Sequence, residues 1–164
     1  MVSKTRKVSF YRLSLEKQTL LPGTRTVRVT QLNNSEIEDC FREIYNEKMQ
    51  VLSDNHKAIN ITASNGHYVI EAISFEEHRA FLKIGQQNPS NTVALRDRTT
   101  LETENVPMRE SQLLELYTFC LIDFESGIVS YIGINGAPKI SAVRNLFDQR
   151  LNREKILLPT LQQS

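Results

Sequence analysis

The side chains of this 164-residue chain that could do chemistry fall into three groups, and each has an ordinary alternative. His56, His67 and His78 recur every eleven residues. If His67 opens a strand and His78 closes the turn after it, the two approach, and a metal would take a third ligand from Asp54, Glu76 or Glu77. Histidines at turns are more often solvated polar residues, so no metal and no cofactor is expected. The second group is acidic: Asp97 lies between Arg96 and Arg98, and Asp123 and Glu125 flank a turn. A nuclease would gather such carboxylates around Mg²⁺, whereas acids at turn tips usually serve their own backbone.

The third group is basic. Residues 1–30 hold seven bases and one acid, a local charge of +6, which leaves −5 for the rest of a chain of net charge +1. Lys4, Arg6, Lys7 and Arg12 lead this arm, with Phe10 and Tyr11 interleaved. Lys139, Arg144, Arg150 and Arg153 form a second set, with Asn145, Gln149 and Asn152 among them. Bases beside aromatic and amide side chains suit phosphate contact, so these eight are the candidate nucleic-acid-binding residues. The alternative is a solvated surface.

Enzyme signatures are scarce. The phosphate-loop, dinucleotide, zinc-protease, nucleophile-elbow and paired-cysteine patterns are all absent. Gly133-Ile134-Asn135-Gly136 precedes a helix and could hold an anion there, but its glycines read better as corner residues. Cys40 and Cys120 lack neighbours at metal spacing and suit small buried hydrophobes in a reducing compartment, so the chain is expected to be cytoplasmic. No apolar run reaches the roughly 20 residues that span a bilayer. A metal-free ribonuclease stays open, and the balance leans against an enzyme.

These residues must be held by a fold, and the run Glu115–Phe124 organises it. Leu116, Cys120, Ile122 and Phe124 line one face, and Tyr117, Phe119 and Leu121 the other. Such a strand belongs mid-sheet with both faces covered. Glu125-Ser126-Gly127 turns it into Ile128–Ile134, a hairpin with Gly127 at the left-handed corner. Upstream, Lys7–Leu15 reads as a strand, and Thr26–Thr30 as a short strand or a loop. A helix follows, capped by Ser35, with Ile37, Phe41, Ile44, Tyr45 and Met49 as its stripe. Ala58–Ala63, His67–Phe75 and Arg79–Gly85 make a meander. Val93–Arg98 is a possible further strand, and 99–110 an exposed connector. The second helix starts at Pro138, or later with Ser141 as cap, and buries Ile140, Val143, Leu146, Phe147 and Leu151. Ile156-Leu157-Leu158 makes residues 155–161 either an edge strand or a surface for a partner. The expected whole is a single α+β domain over 1–164, with an antiparallel sheet of about five to seven strands and two helices packed on it.

The order of elements, an acidic helix, Asp54-Asn55-His56, an aromatic meander, then Thr118–Val129 and a helix ending Asn145-Leu146-Phe147, resembles the N-terminal domain of the RexA family of prophage exclusion proteins. It is similar also to uncharacterised phage and mobile-element families. The likeness covers roughly residues 36–147. It implies a non-enzymatic, DNA-associated role in phage exclusion or defence, as a dimer. The leading expectation is therefore an accessory protein that binds DNA or RNA through phosphate contacts. A protein-interaction or oligomerisation module comes second, and a small nuclease third.

Overall fold

The alternation that begins at Lys7 runs further than expected, giving a first strand β1 at Lys7–Leu20. In the computed structural model the described residues are 6–63, 66–88, 94–134, 136–150 and 156–163. After β1 come β2 (Val27–Gln31) and α1 (Asn34–Glu43), which widens into a π-helical turn at Ile44–Lys48. Strands β3 (Gln50–Val51), β4 (Lys57–Ala63), β5 (Gly66–Glu76) and β6 (Arg79–Asn88) follow. Then come β7 (Ala94–Arg96), β8 (Thr103–Asn105), β9 (Leu114–Asp123) and β10 (Ile128–Gly133). Helix α2 (Ser141–Arg150) and β11 (Ile156–Gln163) complete the order.

The fold is α+β and mainly antiparallel, with more strands than the sequence suggested. Eight strands run in the order β11-β1-β10-β9-β6-β5-β4-β3, and β2 pairs the far half of β1. The connector expected at 99–110 contains β8, which pairs with β7 as a separate two-stranded ribbon. Strand β11 lies at one edge of the sheet, paired with β1, and residue 155 of the segment expected at 155–161 lies outside the described residues.

The hairpin of β9 and β10 lies at the centre of the sheet, as its apolar content requires. Gly127 sits at φ +73°, and a Cβ there would come 2.9 Å from Asn34 Oδ1. Asn34 Nδ2 donates to the Glu125 carbonyl at 3.0 Å, so the start of α1 is clasped to the hairpin tip. The helix cap is Asn33 and not Ser35: the Asn33 side-chain oxygen accepts from the Glu36 amide at 2.8 Å. Similarly α2 starts at Ser141, with Pro138 in the preceding turn, where its carbonyl accepts from the Tyr131 hydroxyl.

Both helices land on the same side of the sheet. Ile37, Phe41 and Ile44 from α1 and its extension, and Val143, Leu146 and Phe147 from α2, share one core with Leu15, Ile70, Leu82, Ile122 and Val129. The Phe41 ring is 6.4 Å from Phe147 and 5.4 Å from Phe124, so the two helices meet above the sheet. Leu151 of the expected stripe lies outside the described residues. The expectation that β9 is covered on both faces is not met: among the described residues Tyr117 on its other face is exposed, while Phe119 and Leu121 are half-buried. With one shared core, the two helices cover one face, and among the described residues no helix covers the second.

Candidate functional site

Side chains alternate along a strand, so the register fixes who shares the open face. One row runs Phe10, Ser130, Leu121, Phe81, Ser74 across β1, β10, β9, β6 and β5. Val8 and Ile132 pair beside it, and Lys83 faces Phe119. The exposed hydrophobics include Val8 at 48%, Phe10 at 49%, Tyr117 at 47% and Phe81 at 36%. The rings are ordered against each other. Phe81 and Phe119 stack at 5.5 Å with 16° between planes, and Tyr117 meets Phe119 edge-on at 5.6 Å. Lys83 Nζ stands 4.4 Å from the centre of the Tyr117 ring and 3.9 Å from Glu115 Oε1. Gly85 leaves room for the Glu115 carboxylate, since an added Cβ would fall 2.1 Å from the carboxyl carbon and displace that side chain.

Charges on this face alternate in sign. At one end the register gives Glu76, Arg79, Asp123, Ile128, Arg12 in sequence across five strands. Lys83 lies between Glu71, its cross-strand neighbour, and Glu115. Acids thus match or outnumber bases there, and the face presents no positive field to a polyanion.

The candidate bases are divided. Arg12 is on the open face, with Nη1 donating to the Ser126 carbonyl at 3.3 Å. Arg144 is exposed on α2, on the opposite, helix-covered side. Lys7 is exposed and pairs with Gly133, from which the chain passes to the exposed Lys139, so the start of β1 and the approach to α2 share one end of the sheet. Arg6 is exposed just before β1. Arg150 closes α2, and Lys4 and Arg153 lie outside the described residues.

The three histidines go to three different places. His67 Nδ1 is 3.2 Å from Thr62 Oγ1 across the β4–β5 pair. His78, at φ +63° in the β5–β6 turn, contacts both oxygens of the nearly buried Glu38 at 2.9 and 3.0 Å, and Arg42 adds a 3.1 Å bond to the same carboxylate. That hydrogen bond, reinforced by the Glu38 charge, holds the His78 imidazole above its ordinary value. His56 meets Asp54 and Glu71, a grouping absent from the metal readings considered on sequence, because Glu71 lies fifteen residues downstream and arrives only through strand pairing.

The acids weighed for a nuclease act in turns. Asp123 Oδ1 accepts from the Glu125 amide at 3.0 Å, and Asp97 Oδ1 from Thr99 and Thr100 at 2.7 and 2.9 Å. Those backbone bonds pull the Asp97 carboxyl below its ordinary value. A cleft of about 260 Å³ beside it is lined by Asp97, Glu102 and Glu104, a lining that repels phosphate. Burial pushes the Cys120 thiol up to about 12, which leaves it inert as a nucleophile. Of the described residues, no helix is long and apolar enough to cross a membrane.

No protein family, no curated protein and no solved structure matches the chain.

Proposed function

We propose that this protein is an assembly module that pairs with a second copy of itself through the open face of its sheet. The observation that carries the reading is the ordered aromatic cluster of Phe81, Tyr117 and Phe119 on a face that nothing covers among the described residues. Contiguous apolar surface with a polar rim is the mark of an interface. The charges argue for the occupant. Neighbouring side chains alternate in sign, so a copy related by a two-fold axis can set acids against bases, whereas a polyanion meets no net attraction. The size also fits. Six strands about 4.8 Å apart and about seven residues long give roughly 650 Å² in projection. Side-chain relief brings that near the about 800 Å² per partner of a standard interface.

Sedimentation velocity on the full chain tests this. The wild type is expected at twice the 18.9 kDa monomer mass, and Phe81→Glu at the monomer mass with the same far-UV circular dichroism. A monomeric wild type, or a Phe81→Glu variant that still pairs, would overturn it.

A second reading, phosphate contact with DNA or RNA, is favoured by the pairing of Lys7 with Gly133, which brings Arg6, Lys7 and Lys139 toward one end of the sheet. It is compatible with self-association, since a two-fold pair would present that end twice. The phage-exclusion setting rests on the RexA-like order of elements alone. Reversing Arg6, Lys7 and Lys139 to glutamate should abolish a low-salt gel shift, and an unchanged shift would remove this reading.

A further inference from the structure

We propose that Asp54, His56 and Glu71 form a binding site for a divalent transition-metal ion, with Zn²⁺ as the fitting probe. Three donors converge there from two segments. His56 Nδ1 is 2.8 Å from Glu71 Oε1 and 3.1 Å from Asp54 Oδ2, and the three ligand atoms lie within 4.8 Å of one another. Tetrahedral zinc with bonds of about 2.0–2.2 Å needs donors about 3.3–3.6 Å apart, so the two imidazole–carboxylate separations have to open by less than about 1 Å.

The charge arrangement favours an ion over a simple salt bridge. Two carboxylates face a single imidazole nitrogen, and one proton there offsets at most one of them. Two lysines are close enough in the chain or the register to supply the missing charge, and both turn away. Lys83 lies directly across from Glu71, yet its Nζ sits over the Tyr117 ring and beside Glu115. Lys57 follows His56 in sequence, yet its Nζ donates to the Tyr45 carbonyl at 3.1 Å and lies 4.2 Å from the Tyr45 ring centre. Among the described residues, Asp54 and Glu71 have no cationic partner besides His56.

One imidazole and two carboxylates suit a borderline ion such as Zn²⁺, Co²⁺ or Mn²⁺. A nitrogen donor disfavours Ca²⁺, and the absence of sulfur disfavours Cu⁺. Metal at Nδ1 requires the neutral imidazole with its single proton on Nε2, so binding to the imidazolium would release the Nδ1 proton to solvent. Three protein ligands leave a position for water or for a group from outside. The ion would tie the turn between β3 and β4 to β5, at the end of the sheet where β3 is only two residues long.

Isothermal titration with ZnCl₂, and the visible absorption of a Co²⁺ complex, test the site on the full chain. The wild type should take one ion per chain, and Mg²⁺ should give no heat. His56→Gln, Glu71→Gln and Asp54→Asn should each weaken Zn²⁺ binding about tenfold or more, whereas His78→Gln should leave it unchanged. Asp54 is the most exposed of the three, so Asp54→Asn keeps the test valid if a substitution at His56 or Glu71 disturbs folding. Absence of binding to the wild type would overturn the proposal, as would equal binding by Asp54→Asn and the wild type.

Discussion

The two faces of the central sheet carry comparable aromatic content and treat it differently. On the covered face, Phe41, Phe75, Phe124 and Phe147 meet at 4.9–6.4 Å between ring centres, and Phe41 and Phe147 are 0% exposed. On the open face, Phe81, Phe119 and Tyr117 pack at 5.5–5.6 Å, yet Phe81 and Tyr117 remain 36% and 47% exposed. The first set is finished by α1 and α2 from the same chain. The second is organised to a similar degree and lacks a cover among the described residues. The difference separates what the fold needs from what the fold offers.

Truncating one ring on each face should expose that division most sharply. Phe147→Ala removes a fully buried ring and should cost about 3–5 kcal/mol in urea unfolding. Phe81→Ala should cost about 1 kcal/mol or less in the monomer while weakening self-association. Equal losses of monomer stability would mean that the open face is part of the core.

A smaller effect belongs to the join between the covered face and the hairpin tip. Gly127→Ala places a Cβ at a left-handed φ of +73° and 2.9 Å from Asn34 Oδ1. It should cost about 1–3 kcal/mol, visible as a lowered unfolding midpoint, with self-association kept at temperatures where the variant is folded.

The smallest effect is at the rim of the covered face, where His78 links the β5–β6 turn to α1 through Glu38. The imidazole is raised in the folded protein. Its stabilisation is therefore complete below the ordinary value of about 6.5 and is lost as pH rises through the folded value. The stability difference between wild type and His78→Gln should shrink as pH is raised from about 6 to about 8. Because the imidazole is solvent-exposed, the contribution is small and screened by salt. A constant difference would remove the charged pair from the account.

Much of the covered face was legible in the sequence. Ile37, Phe41 and Ile44 recur at helical spacing, and β9 alternates cleanly around Gly127, so periodicity alone placed the stripe and the hairpin. The open face was misjudged because Tyr117, Phe119 and Leu121 are as apolar as a buried row. The corrective signal lay on β6, where Arg79, Phe81 and Lys83 share a face: two bases around an aromatic ring mark a strand side that meets water. The helix cap was misplaced by two residues because Asn33, Asn34 and Ser35 are all competent caps; Asn33 takes the role through the Glu36 amide, while the Asn34 side chain is engaged with Glu125, ninety-one positions away. Long-range pairing explains the other omissions as well. His56 with Glu71, and His78 with Glu38, come together through strand register and helix docking, which local spacing does not encode.

Hydroxyl-radical footprinting across a dilution series tests the central claim most directly. If the open face holds a second copy, oxidation of Phe10, Phe81 and Tyr117 falls as protein concentration rises, in step with the sedimenting mass, while buried Phe147 stays protected throughout. Oxidation of Phe81 and Tyr117 that stays constant while the mass doubles would place the interface elsewhere and contradict the account.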